Sequence, residues 1–239
     1  MLFVRSALFN LCFFILTPIC SILVLFFRPF GFHASWLWAR AWSKITLWLV
    51  KVLCGIRVEI EGKEYFPDEA CVVMAKHQSA LETIAMPMLV PPYAWILKRE
   101  LFYIPLFGWA LAMMGTIAIR RGNPREAIKQ VIEQGRQRLK EKRWVVIFPE
   151  GTRSAVGTTG NYQPGGVVVA QKAGAAILPM AHNAGTHWPK RGFIKHPGTV
   201  TFRFLPLIDA ETVKNTKRND LLEQLKTVIE ADTRKLENL

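Results

Sequence analysis

At 239 residues the chain has room for one sizeable core, and its length makes no case for two full domains. Its 31 Lys and Arg against 18 Asp and Glu leave a formal charge of +13, which suits an anionic partner: nucleic acid, a phosphorylated substrate or an anionic lipid surface. The four cysteines, Cys12, Cys20, Cys54 and Cys71, have neither metal-ligand nor redox spacing, so no metal site is expected and they read as buried thiols of a reducing compartment.

The N-terminus chooses among those partners. From Ser6 to Phe27 run 22 residues without a charge, bracketed by Arg5 and Arg28. As a helix they would reach ~33 Å, enough to cross a bilayer. The shorter apolar core and small-residue cleavage site of a signal peptide are not evident. Residues 35–54 follow with Trp36, Trp38, Trp42 and Trp48 beside Arg40, Lys44 and Lys51, the composition of an interfacial helix. Either a spanning helix precedes an interfacial one, or the pair forms a hairpin dipping into one leaflet. Pro18 and the Arg28-Pro29-Phe30-Gly31 turn favour a bent hairpin. Residues 1–57 are thus expected to anchor the chain to membrane lipids, with a second unit, 58–239, on the cytoplasmic side. A nucleic-acid binder would have no use for these segments.

After Gly55 short apolar runs alternate with helical periodicity. Strands are expected at 57–61, 71–76, 93–97, 115–121, 144–148, 176–180 and 199–205, and helices at 81–89, 104–114, 165–172 and from about Asp220. Another helix starts at Asn123-Pro124-Arg125-Glu126, which has a cap, a first-turn proline and an acidic residue, with Ile128, Val131, Ile132 and Leu139 on its buried face. Residues 154–166, rich in glycine, threonine and proline, read as a loop, and Lys190, Arg191, Lys195 and His196 as a solvated basic surface. This alternation predicts an α/β fold with a mostly parallel sheet flanked by helices, preceded by the N-terminal membrane-associating helix pair.

Three strand ends carry chemistry. His77 follows the apolar run 71–74, and Glu82 lies five residues on. Five residues on one helix turn side chains ~140° apart, so the two meet only if His77 sits in the loop and Glu82 in the first turn of the next helix. A histidine backed by a carboxylate is the minimal apparatus for taking a proton from a hydroxyl. Ser79-Ala80-Leu81-Glu82 also fits a capping box, in which Glu82 would bond the Ser79 N–H instead. Arg121 ends one strand, and Glu150-Gly151-Thr152-Arg153 follows another. Arginine forks donate two hydrogen bonds to phosphate, Gly151 lets backbone N–H groups approach an anion, and Glu150 could hold an arginine or a substrate hydroxyl. Since ligands bind at strand carboxyl ends in open parallel sheets, the set reads as a phosphate site beside a base. Lys98, after the 93–97 strand, and backbone N–H groups near 150–153 are candidates for the oxyanion or donor contact. There is no Gly-x-Ser-x-Gly elbow, zinc spacing, Walker loop or dinucleotide fingerprint.

Phe148-Pro149-Glu150-Gly151-Thr152-Arg153-Ser154 resembles the third motif of the glycerolipid acyltransferases, specifically the bacterial lysophosphatidate acyltransferases. His77 to Glu82 is similar to that family's first motif, His-x4-Asp, with Glu82 in place of the usual Asp. Residues 115–121 resemble the second motif, with Arg120 where an acidic or polar residue often stands, and Ile177-Leu178-Pro179 the fourth. The resemblance implies transfer of a fatty acyl group from acyl-CoA or acyl-carrier protein to the sn-2 hydroxyl of lysophosphatidate at the bacterial inner membrane, with no cofactor. It implies His77 and Glu82 as catalytic residues and Arg121, Glu150, Gly151, Thr152 and Arg153 around the acceptor phosphate. The alternatives are another lysolipid or amino-lipid acceptor, or an inactive membrane-bound lipid carrier.

Overall fold

The computed structural model describes residues 1–119 and 124–238; Arg120, Arg121 and the expected cap Asn123 lie outside the described residues. Helix α1 spans Leu2–Phe27 and continues through Pro18. The chain reverses instead at residues 28–31, where Gly31 takes φ 108, a conformation few other residues adopt. Helix α2, Phe32–Leu49, returns along α1 and ends in a single π turn at Val50–Cys54. The proline thus leaves the helix intact and the Arg-Pro-Phe-Gly turn makes the hairpin.

The remaining chain forms β1 (Ile56–Glu61), β2 (Val72–Ala75), α3 (Leu81–Leu89), β3 (Tyr93–Lys98), α4 (Phe107–Met113), β4 (Ile117–Ile119), α5 (Pro124–Lys140), β5 (Trp144–Ile147), α6 (Gly165–Ala173), β6 (Ile177–His182), α7 (Ala184–His187), β7 (Gly198–Phe204), α8 (Ala210–Asn215) and α9 (Arg218–Glu237). The strands make one sheet in the order β1-β7-β6-β2-β5-β3-β4, parallel throughout except between β6 and β7. The five strands β6, β2, β5, β3 and β4 therefore bring their carboxyl ends to one edge, while β7 and β1 run the other way.

Side chains alternate across that sheet, as the two-residue period of a strand requires. Val73 and Ala75 of β2 face a layer made by α1, α2, α3 and α4, through residues such as Phe9, Trp36 and Met86. Val72 and Met74 face a second layer made by α5, α6 and α9, through Val131, Val169, Leu225 and Ile229. Both faces are covered, which accounts for the fully apolar, unalternating strands 72–75 and 144–147.

The hairpin belongs to the first layer. The Ser43 hydroxyl donates to the Ile84 carbonyl at 2.6 Å, Arg28 Nε to the Met113 carbonyl at 3.1 Å, and the Lys195 N–H to Ser6 Oγ at 3.0 Å. Both ends of α1 are thus tied to the α/β unit. Its outer face is apolar and open: Leu11 is 58% exposed, Phe14 72% and Ile15 56%. A continuous apolar face of this kind on a helix marks a contact with lipid or partner.

Two expectations are corrected. The helix expected at 104–114 begins at Phe107, behind a 3-10 stretch, Arg99–Tyr103. Pro105 disfavours helical backbone at its predecessor and fixes its own φ. Lys195 was expected on a solvated surface but is 2% exposed. Its ammonium donates to Asn10 Oδ1 at 2.6 Å and to the Phe193 carbonyl at 2.9 Å, and lies 4.6 Å from the centre of the Trp188 ring. The loop carries its own aromatic residues and packs on α1, and that burial lowers the Lys195 pKa.

Candidate active site

His77 leaves the carboxyl end of β2, two residues beyond its last strand residue, and α3 starts at Leu81. The backbone of this short connection is fixed at nearly every step. The His77 N–H donates to Glu150 Oε1 at 3.0 Å, and its carbonyl accepts from both Ser154 N–H (2.8 Å) and Ser154 Oγ (3.1 Å). The N–H groups of Gln78 and Ser79 both donate to Glu82 Oε1, at 2.9 and 2.8 Å. Just upstream, the Lys76 carbonyl is 2.8 Å from His182 Nε2, while His182 Nδ1 accepts from the Ala184 N–H. Those two bonds assign the Nε2–H form to His182, and burial, which lowers its pKa, keeps the ring neutral.

Glu82 does at one oxygen what two readings offered separately. Oε1 accepts the Ser79 N–H, as a capping box requires, and lies 2.8 Å from His77 Nδ1. The box is only half present, because Ser79 Oγ accepts from Leu81 N–H at 3.1 Å. Glu82 is fully buried. Burial alone would raise its pKa, but the hydrogen bonds from His77 and the Ser79 N–H outweigh it and hold the carboxyl below its ordinary value. An ionised Glu82 makes His77 Nδ1 the donor and leaves Nε2 as the nitrogen able to accept a proton. The His77 ring stacks on Phe148, centroids 4.2 Å apart and planes 19° from parallel, which fixes its remaining freedom.

The second wall comes from β5 and its turn. The Gly151 N–H bonds the Phe148 carbonyl at 3.0 Å, and Gly151 takes φ 65, where a side chain would be strained. Gly151 and Thr152 line two clefts that meet at His77. One runs over Ile96, Ile119, Ile128, Val131 and Gly166. The other holds Lys98, Arg153, Lys190 and Arg191 with the apolar Trp95, Phe107 and Leu111. Among the described residues, none of these four cations is in an ion pair. Glu150 is turned inward, its side chain 1% exposed and its Oε2 3.3 Å from Lys76 Nζ, so its carboxylate faces away from the cations it was grouped with. Arg121 lies outside the described residues. The structure therefore brings together His77, Glu82, Lys98, Gly151, Thr152 and Arg153, and adds Lys190 and Arg191, which are exposed as expected but also line this cleft. The described residues contain no cluster of three His, Cys, Asp or Glu able to hold a metal.

A family model described as Acyltransferase matches residues 57–183, more than half of the chain. The chain belongs to the acyltransferase family. This family member is 47% identical over 170 residues to the 1-acyl-sn-glycerol-3-phosphate acyltransferase of Pseudomonas aeruginosa, a match covering 71% of the chain and 66% of that protein. It is 33% identical over 209 residues to the chloroplastic 1-acyl-sn-glycerol-3-phosphate acyltransferase LPAT1 of Arabidopsis thaliana, covering 84% of the chain and 57% of that protein. The chain thus spans about two thirds or less of the length of these two relatives. In fold it resembles the crystal structure of the 1-acyl-sn-glycerophosphate acyltransferase PlsC from Thermotoga maritima, with a TM-score of 0.82 over 99% of this chain and 98% of that one, at 23% identity. The matched family region contains the whole His77 turn and the 150–153 turn, and stops before Lys190 and Arg191.

Proposed function

We propose that the protein transfers a fatty acyl group from a thioester, on coenzyme A or acyl-carrier protein, to the sn-2 hydroxyl of 1-acylglycerol-3-phosphate, giving phosphatidate. The observation that carries this reading is the His77–Glu82 pair, 2.8 Å apart at Nδ1, opening onto a cleft with four cations that have no ion pair among the described residues. His77 Nε2 takes the hydroxyl proton as the oxygen attacks the thioester carbonyl, and Glu82 stabilises the imidazolium. The new C–O bond replaces the C–S bond, and the imidazolium returns its proton to the departing thiolate. Thr152 and Arg153 N–H groups, which have no intramolecular hydrogen bond among the described residues, are suited to receive the oxyanion. Arg153 and Lys98 hold the acceptor phosphate, with Arg121 as a further candidate and Gly151 giving close approach.

The same reading treats residues 1–57 as the anchor and 58–239 as the transfer unit. Because α1 is tied to the α/β unit at both ends, the hairpin lies along that unit, within one leaflet on the cytoplasmic side of the inner membrane, and presents its open apolar face to lipid. This supports the in-leaflet arrangement over a spanning first helix.

The test is turnover of purified protein with acyl-CoA and acyl-carrier-protein donors, against lysophosphatidate and a neutral-headgroup lysolipid. Preference for lysophosphatidate is expected, and Arg153→Ala should raise KM for it about tenfold while changing the thioester KM less than twofold. Equal turnover of the neutral lysolipid would move the reading to another acceptor. The reverse KM pattern would move the phosphate site elsewhere.

A further inference from the structure

The residues on either side of His77 are held by one helix far away in the chain. Lys76 is fully buried, and its ammonium donates to both oxygens of Glu230 on α9, at 2.8 and 3.0 Å. It also reaches Glu150 Oε2 at 3.3 Å and the Thr158 carbonyl at 2.9 Å. Gln78, on the other side of His77, donates through Nε2 to Glu237 Oε1 at 2.6 Å, and Glu237 Oε2 accepts the Gly157 N–H at 3.2 Å. Glu230 and Glu237 are seven residues apart, about 20° from alignment on a 3.6-residue helix, so a single stripe of α9 reaches both neighbours of His77.

The same stripe holds the loop that follows the 150–153 turn. Glu230 accepts from Tyr162 Oη and Thr159 Oγ1, each at 3.0 Å. Asn183 Nδ2 donates to the Leu236 carbonyl at 3.2 Å, which ties the end of α9 to the end of β6. The contacts leave no slack: a Cβ added at Gly160 would lie 2.4 Å from Glu150 Oε2, and one at Gly185 2.9 Å from Gln78 Cβ.

A buried lysine between two carboxylates is a poor way to gain stability, because desolvation costs several kcal/mol per ion and an apolar trio of like volume does as well or better. What charges give that apolar groups cannot is directional fixation. Through Glu150, the cluster ends on the His77 N–H itself. We propose that Glu230 and Glu237 of α9 are positioning residues for the transfer reaction, acting through Lys76 and Gln78 to fix His77 and to hold residues 157–162 against Lys76. This rests on the reading given under Proposed function, since it takes His77 as the base.

The experiment compares Glu237→Ala, Glu237→Gln and Glu230→Ala with the unsubstituted protein, in detergent micelles. It measures kcat and both KM values, thermal unfolding, and the His77 ring resonance in protein carrying 13C-labelled histidine, assigned by its loss in His77→Ala. Misplacement of a reacting group by about 1 Å can cost ~100-fold. The expected result is a fall in kcat of about tenfold for Glu237→Ala and about thirtyfold for Glu230→Ala, with both KM values within twofold. Only the His77 resonance should shift or broaden, and Glu237→Gln should recover kcat to within about threefold. Glu237 is half-buried at the end of the helix, so its variants are the ones least able to unfold the protein. Wild-type kcat with an unmoved His77 resonance in folded Glu237→Ala would overturn the proposal, as would losses that track the unfolding temperature with all histidine resonances moving together. Should the unsubstituted protein transfer no acyl group, the functional reading fails, while the His77 resonance still reports whether α9 fixes the ring.

Discussion

The His77 turn and the outer face of α1 treat exposure in opposite ways. Around His77 the polar groups are spoken for: backbone N–H by Glu150, carbonyl by Ser154, Nδ1 by Glu82, ring face by Phe148. Nε2 has no hydrogen bond among the described residues, and His77 lines both clefts. Along α1 nothing polar is offered over most of its length, and Leu11, Phe14 and Ile15 remain open. The first region uses many specific contacts to fix the position of one ring nitrogen. The second relies on a non-directional apolar surface, where no single contact matters much. The contrast teaches that single substitutions should be severe in the turn and graded on the helix.

The largest effect should come from removing the leftover nitrogen. His77→Ala should lower kcat by about a thousandfold, within the range that positioned acid–base groups contribute, with vesicle binding unchanged. Turnover above a few per cent of the wild-type value would remove His77 from the base role. Next in size is Glu82→Gln. An amide oxygen in the Oε1 position still accepts the Gln78 and Ser79 N–H groups, so the helix start survives, but the charge that stabilises the imidazolium is gone. A fall in kcat of about a hundredfold with the fold retained is expected, and unchanged kcat would leave Glu82 a cap alone.

On the helix, Phe14→Lys should weaken partition into anionic vesicles by about tenfold or more, since a lysine at bilayer depth costs ~3 kcal/mol before snorkelling relieves it. Circular dichroism should show the fold kept, because Phe14 is 72% exposed. Vesicle binding at wild-type strength would mean that this face does not meet lipid. If the effect of one lysine on binding equalled the effect of His77→Ala on turnover, the contrast between the two regions would collapse.

What was legible in the sequence follows the same division. The strands β1 to β7 and the longer helices could be read because apolar periodicity reports burial locally, and α3 occupies residues 81–89 as expected; the short α7 and α8, with no such period, were not. The five-residue link from His77 to Glu82 is local too. Within the Glu150–Arg153 turn the residues could be picked out, but their directions could not. Glu150 turns inward because Lys76 waits 74 positions away in the chain, and Lys76 is buried because Glu230 lies 154 positions on. No spacing rule reaches across such distances. Lys190 and Arg191 look like any solvated pair until the loop between β6 and β7 is folded against the 151–153 turn. Lys195 shows the converse, a surface-type residue drawn inside by aromatic neighbours.

The smallest effect expected concerns stability rather than rate, and it separates the charge of Glu82 from its shape. The folded-state pKa of Glu82 lies below its ordinary value of 4.5, so the unfolded chain binds its proton first as pH falls. Ionised Glu82 therefore favours the folded state at neutral pH; that contribution diminishes as pH drops past 4.5 and is gone once pH passes the depressed folded value. Glu82→Gln lacks it at every pH. The unfolding temperature of the wild-type protein should exceed that of the variant at pH 7, and the gap should narrow as pH is lowered through 4.5. A gap independent of pH would mean that the oxygen's hydrogen bonds, which the amide keeps in part, account for the stability, and that the charge serves the imidazolium alone. Either way the measurement assigns separately two roles proposed for one atom.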